Sequence, residues 1–159
     1  MLASRGAKVL VNDLGKKSFV SHDSDKGSES VADSVVAEIL AAGGEAVSNT
    51  DSVEDGGKIV QACVKAFGKV DIVVCNAGVA AGGPVDRVSK EVWEHQLSVH
   101  VLGAYTVVKA AWPIMKAQRY GRIVLTRCGL LYSIRASSNR GGGGGEGGSL
   151  SVLDVSMPT

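Results

Sequence analysis

The apolar positions of this chain fall into two rhythms, short unbroken runs and longer stripes at helical spacing, and their alternation lays out a string of elements. Lys8 to Asn12 is a run of strand length. Val31, Val35, Val36, Ile39 and Leu40 then recur at helical spacing and stop at Gly43-Gly44, which predicts a core-packed helix ended by glycine. Glu45 to Asn49 is a second run. Ile59, Val60, Cys63, Val64 and Phe67 form the stripe of a helix over Val53 to Phe67, stopped by Gly68. Val70-Asp71-Ile72-Val73-Val74-Cys75 is a third run. Ser89 stands where it caps another helix, Val107, Val108, Ala111, Trp112 and Met115 mark a long one over Thr106 to Gln118, and Arg122 to Thr126 is a fourth run. The polar, turn-rich stretch Lys16 to Ser30 and the small-residue stretch Val79 to Pro84 read as loops.

Strand and helix in alternation predict an α/β fold with a doubly wound, Rossmann-like parallel sheet. The third run has β-branched residues and little polar alternation, as in a strand buried on both faces in the middle of such a sheet. It ends abruptly in Asn76-Ala77-Gly78. Ligands of open α/β sheets lie beyond the carboxyl ends of the strands, and small residues there let a backbone approach a cofactor closely, so these three are candidate cofactor contacts.

Asp13 directly follows the first run. In a dinucleotide fold an acidic residue at the end of the second strand hydrogen-bonds the adenosine ribose 2′-hydroxyl and repels a 2′-phosphate, which points to NAD over NADP. The competing reading is a turn-forming Asp before Leu14-Gly15. Placed so, the run at Lys8 is the second strand of the fold, and the sheet is expected to be incomplete, without its first strand and Gly-rich phosphate turn in Met1 to Gly6.

From Arg127 the composition turns to Arg, Ser and Gly, and the glycines of 141–148 are poor helix formers at about 1 kcal/mol each. Two regions are therefore expected: 1–126 as a partial NAD-binding domain and 127–159 as a disordered, low-complexity tail. The glycine run is not a P-loop, because no Gly-Lys-Ser or Gly-Lys-Thr closes it.

Composition narrows the classes further. Lys and Arg number 17 against 16 Asp and Glu, a formal net charge of +1, so no bulk attraction to nucleic acid or membrane is expected. No apolar run approaches the roughly 18 residues of a span. The three cysteines, Cys63, Cys75 and Cys128, lack Cys-x-x-Cys spacing and read as reduced thiols, and His22, His95 and His100 are not at zinc-ligand spacing with them, so no metal centre is expected. His22 reads as a solvated loop residue and Cys63 as a small core residue.

Val-Cys-Asn-Ala-Gly at Val74 to Gly78 resembles the Asn-Asn-Ala-Gly signature of the short-chain dehydrogenase/reductases, nicotinamide-dependent oxidoreductases built on one Rossmann domain, and the likeness runs from about Leu2 to Thr126. It implies that Asp51 and Ser52 sit beside the adenine, although either also reads as a helix cap. It implies a catalytic-site role for His100, which takes the place of the family's helix Asn, with a packed structural histidine as the plain alternative. Val99-His100-Val101-Leu102-Gly103, with Val11 to Gly15, Ala110 to Pro113 and Tyr120 to Val124, is similar to the 3-hydroxyacyl-CoA dehydrogenase units of peroxisomal multifunctional enzymes of fatty-acid β-oxidation. The substrate so implied is an acyl-CoA, the compartment the peroxisome, and the helix over 94–118 a homodimer face. No Ser-Lys-Leu address stands in Met157-Pro158-Thr159, so the compartment rests on the resemblance.

Catalysis in the family needs Ser and then Tyr-x-x-x-Lys after the fifth strand. By count Cys128 lies near the Ser position, and Tyr132 is followed at the fourth place by Ala136. Tyr105 and Lys109 have the spacing but precede that strand. The expectation is therefore a truncated dehydrogenase, inactive as this chain and with weak or lost NAD binding. The alternatives are a non-catalytic dimerisation module, or a frameshifted or mispredicted product without function.

Overall fold

A computed structural model describes residues 1–15, 30–79, 86–127 and 149–153. Strand β1 (Lys8–Asn12) lies parallel to β2 (Glu45–Asn49), joined through helix α1 (Val31–Ala41). Helix α2 (Gly56–Phe67) follows a single 3₁₀ turn at Val53–Asp55 and leads to β3 (Ile72–Cys75), which lies parallel to β4 (Arg122–Arg127). The connection between β3 and β4 contains α3 (Lys90–Leu97), a π-helical turn (Ser98–Gly103) and α4 (Ala104–Gln118) in immediate succession. The fold is α/β and Rossmann-like, as its pattern of runs and stripes predicts.

Helix ends follow the residues that sequence reasoning picks out. Gly68 takes φ +78, and its N–H closes α2 on the Val64 carbonyl at 2.8 Å, a left-handed stop that a side chain disfavours. Ser89 caps α3, its hydroxyl accepting from the Val92 N–H at 3.4 Å. At the end of α4 the Gln118 amide acts like a strand neighbour, accepting from the Val70 N–H at 3.2 Å and donating to the Val70 carbonyl at 2.9 Å. That pair seats the helix end on the entry to β3.

The core lies between α2, α4 and the β3–β4 pair: Val60, Val70, Val73, Ala111, Met115 and Ile123 are buried and in mutual contact. Helix α2 also packs on β1 and β2, so it bridges the two strand pairs. Among the described residues no strand pairs with the free edge of β1 or of β3.

Two burial expectations need correction. Strand β3 is not buried on both faces: Val73 points into the core, while Ile72 and Val74 remain 47% and 50% exposed. Alternate side chains of a strand face opposite ways, and the helices α2 and α4 cover only the Val73 side. The α1 stripe is likewise only half buried, with Val31, Val35 and Leu40 exposed and Ala32 fully buried instead. A helix resting on a two-stranded sheet has too little surface opposite it to cover such a stripe.

Of the expected tail, Arg127 and residues 149–153 are among those described. Arg127 extends β4 by one residue, and Ser149–Leu153 forms β5, antiparallel to β4 in the register Ile123 to Leu153. Ser149 to Val152 alternates polar and apolar positions, the period of a strand. Cys128 and the glycine run lie outside the described residues, as does His22 with most of the predicted loop over Lys16 to Ser30.

Candidate functional site

Because the strands are parallel, Asp13, Asp51 and Asn76 all follow the carboxyl end of a strand. Asp13 is exposed, and its backbone N–H continues the ladder to the Asn49 carbonyl at 3.1 Å. One carboxylate oxygen, Oδ1, accepts from the Gly15 N–H at 2.7 Å. The turn-forming reading of Asp13 is the one seen in the structure, and that turn fixes a carboxylate whose second oxygen is uncommitted among the described residues. An exposed carboxylate so held fits a vicinal diol, which offers the donors that oxygen lacks.

Asp51 is partly buried and bound into the end of β2. Its N–H donates to Asn49 Oδ1 at 3.1 Å, and its Oδ2 accepts from Asn49 Nδ2 at 2.9 Å. The Ser52 hydroxyl accepts from the Glu54 N–H at 3.2 Å, so Ser52 is the cap of the 3₁₀ turn, as its simpler reading had it. Sequence reasoning passed over Asn12 and Asn49. Asn12 Nδ2 lies 2.8 Å from Asn49 Oδ1, 2.9 Å from the Asp51 carbonyl and 3.3 Å from the Asn49 carbonyl. The available signal was a pair of Asn residues closing two successive runs.

At the end of β3, Asn76, Ala77 and Gly78 are exposed. The Thr126 hydroxyl sits 3.1 Å from both the Cys75 carbonyl and Asn76 Oδ1, tying this end to β4. Cys75, where the family has its first Asn, is half-buried, and burial pushes its thiol above the ordinary value of 9.0. It packs rather than reacts. Burial, and secondarily the Asp71 carboxylate, raises the Cys63 thiol in the same direction.

His100 reaches this loop from the π-helical turn. Its Nε2 lies 2.9 Å from the Val79 carbonyl and 3.2 Å from the Val79 N–H, and a Cβ on Gly78 would meet its Cε1 at 2.6 Å. Glycine at 78 is thus explained by the imidazole lying against it. The π turn is itself anchored on the loop after β2: the Thr106 hydroxyl lies 2.6 Å from the Val53 carbonyl, and Gly103 fits against the Val53 side chain. Two clusters result, Asp13 with Asp51 and Asn76–Gly78 with His100, joined through Val53 and Thr106.

Lys109 Nζ lies over the Tyr105 ring, 5.4 Å from its centroid, on α4. That is a cation–π contact on an exposed helix surface. Among the described residues no group of His, Cys, Asp and Glu has the arrangement of a metal site, and no helix is long and apolar enough to cross a membrane.

A family model described as short chain dehydrogenase matches residues 2–130. The chain is 46% identical over 126 residues to peroxisomal multifunctional enzyme type 2 of Drosophila melanogaster, covering 79% of this chain and 20% of that protein. It is 45% identical over 123 residues to peroxisomal hydratase-dehydrogenase-epimerase of Neurospora crassa, covering 77% of this chain and 13% of the relative. A short chain dehydrogenase from Mycobacterium avium superposes with a TM-score of 0.67 at 33% identity, over 80% of this chain and 46% of that one. The chain thus spans a fifth or less of the two curated relatives, and the matched stretch contains both strand pairs and both residue clusters. A family pattern carried through every element that builds the site makes this chain a member of the short chain dehydrogenase family.

Proposed function

We propose that this chain carries the adenosine-holding part of an NAD-dependent dehydrogenase related to those of peroxisomal fatty-acid β-oxidation, and that it does not turn over substrate as it stands. The observation that carries the reading is Asp13, a carboxylate held at the end of β1 by the Gly15 N–H with one oxygen left to accept from a ribose. Asp51 lies on the same rim, and Asn76 to Gly78 supply a loop of small residues beyond β3. NAD, when bound, supplies the hydride acceptor. The parent reaction oxidises the C3 hydroxyl of a 3-hydroxyacyl-CoA: the C3–H leaves as hydride and the hydroxyl proton passes to a base.

That base is what this chain lacks. His100 Nε2 is engaged by the Val79 backbone, Tyr105 is covered on its face by Lys109, and no Tyr-x-x-x-Lys follows β4 in the sequence. Loss of a general acid/base alone costs about 10²–10⁴-fold. Incubated with NAD and a 3-hydroxyacyl-CoA, the purified chain is expected to form no NADH above background. In the same sample adenosine is expected to shift the backbone amide resonances of Asp13 and Asp51. Turnover at a rate ordinary for a dehydrogenase overturns the first statement, and unmoved resonances overturn the second. The compartment proposed is the one named in the relatives, the peroxisome.

A second reading, an interaction module, is favoured by a specific surface. Trp93, Leu97, Val101 and Tyr105 recur every four residues along α3, the π turn and α4, with Trp112 two turns further on, and all five are exposed. The occupant proposed for this stripe is a second copy of the chain or of an intact relative, paired through the 94–118 helix.

A further inference from the structure

We infer that Asn12 is a positioning residue for the adenosine rim, a clasp that keeps Asp13 and Asp51 together and so sets the choice between a free 2′-hydroxyl and a 2′-phosphate. This rests on the adenosine reading above.

The argument starts from hydrogen counting. Asn12 Nδ2 carries two hydrogens and faces three oxygens, Asn49 O, Asn49 Oδ1 and the Asp51 carbonyl. Only a donor fits a place surrounded by acceptors. Two of those oxygens belong to the last residue of β2 and the third to the turn beyond it, so one side chain from β1 spans both. Asn49 then passes the constraint on: its Oδ1 accepts the Asp51 N–H, and its Nδ2 donates to Asp51 Oδ2. On the other side the Asn49 carbonyl that receives Asn12 also receives the Asp13 N–H. The path from Asp13 to Asp51 therefore runs through one part-buried pair of amides.

The clasp matters because β1 has little else to hold its end. It pairs with β2 on one edge only among the described residues, and the ladder ends at Asn12 opposite Asn49. Without the Asn12 donors the Asp51 carbonyl loses its partner, and the Asp13 backbone remains tied by a single bond. The Asp13–Gly15 turn keeps its own bond, with the carboxylate still accepting from the Gly15 N–H, but the turn as a unit is then less firmly placed against Asp51, and a turn free to shift carries the carboxylate away from a 2′-phosphate and rejects it less.

The test uses the full chain and two ligands that differ only in the 2′ group, 5′-AMP and adenosine 2′,5′-bisphosphate, with affinities from NMR titration. Asn12→Leu keeps the volume and removes both donors, and Asn12→Ala removes the volume as well; each is first checked for the wild-type circular dichroism spectrum. The wild type is expected to prefer 5′-AMP. In the variants 5′-AMP is expected to bind about tenfold more weakly, the scale of one lost buried hydrogen-bonding group, while the ratio between the two ligands moves towards one. A change in stability alone lowers both affinities and leaves their ratio in place. If the wild type binds neither ligand or does not distinguish them, the adenosine reading has failed. If it distinguishes them and both variants keep that ratio, the clasp is overturned and the reading stands.

Discussion

A methyl group added at Gly78 would lie 2.6 Å from His100 Cε1 and 3.2 Å from its Nδ1, so the loop after β3 and the π turn are fitted to one another through a single ring. Gly78→Ala is expected to destabilise the chain by about 1–3 kcal/mol, the usual range for overpacking. His100→Ala loses the bond to Val79 and is expected to cost about 1 kcal/mol. The double variant should cost less than the two combined, because removing the ring makes room for the methyl. Urea unfolding of the four proteins measures the cycle, and strict additivity would mean the contact does not hold in solution. At this scale the sequence was partly legible. Asn76-Ala77-Gly78 and His100 stand out as motif positions, but their contact does not, because a π turn adds a residue per turn and rotates His100 away from where α-helical spacing puts it. Asn12 was invisible for a different reason: an Asn closing a strand looks like any turn former until its three acceptors are in place.

Helices α2 and α4 cross so closely that an added Cβ on Gly56 would meet the Thr106 carbonyl carbon at 2.6 Å and Val107 Cα at 2.7 Å, both main chain and unable to turn aside. The next residue, Gly57, has open space around it. The same substitution is therefore expected to have opposite signs at neighbouring positions. Gly56→Ala should destabilise by about 1–3 kcal/mol through the forced separation of the helices, and Gly57→Ala should stabilise by about 0.5–1 kcal/mol through lower unfolded-state entropy and better helix propensity. Thermal unfolding of both variants tests this. Elements were the most legible level: β1, β2, α2, β3, α4 and β4 all lie where runs and stripes place them. Burial was less so. The α1 stripe and the Ile72–Val74 face are apolar enough for a core, but burial depends on what stands opposite, and that is not written in the element's own residues. Strand β5 was missed because the glycine-rich stretch before it outweighs the short alternation Ser149 to Val152.

For the whole molecule the main apolar surface feature among the described residues is the stripe from Trp93 to Trp112. Scattered apolar side chains are ordinary on a surface, but large ones repeating along one helix line form a continuous apolar patch. The chain is expected to self-associate in analytical ultracentrifugation. Tyr105→Glu should shift it towards monomer with little change in melting temperature, since Tyr105 is exposed and a Glu there can pair with Lys109 four residues on. A wild type that is monomeric at all concentrations, alone and with an intact relative, removes the interaction reading.

Both parallel ladders described above join residues far apart along the chain: Asn12 meets Asn49 across 37 positions, and Asn76 meets Thr126 across 50. During synthesis β3 thus leaves the ribosome with its only described neighbour strand still dozens of codons away. Until β4 and α4 emerge, β3 has α2 alone to cover Val73 and no strand on either edge among the described residues, an opening for chaperone capture or for mispairing with another nascent copy.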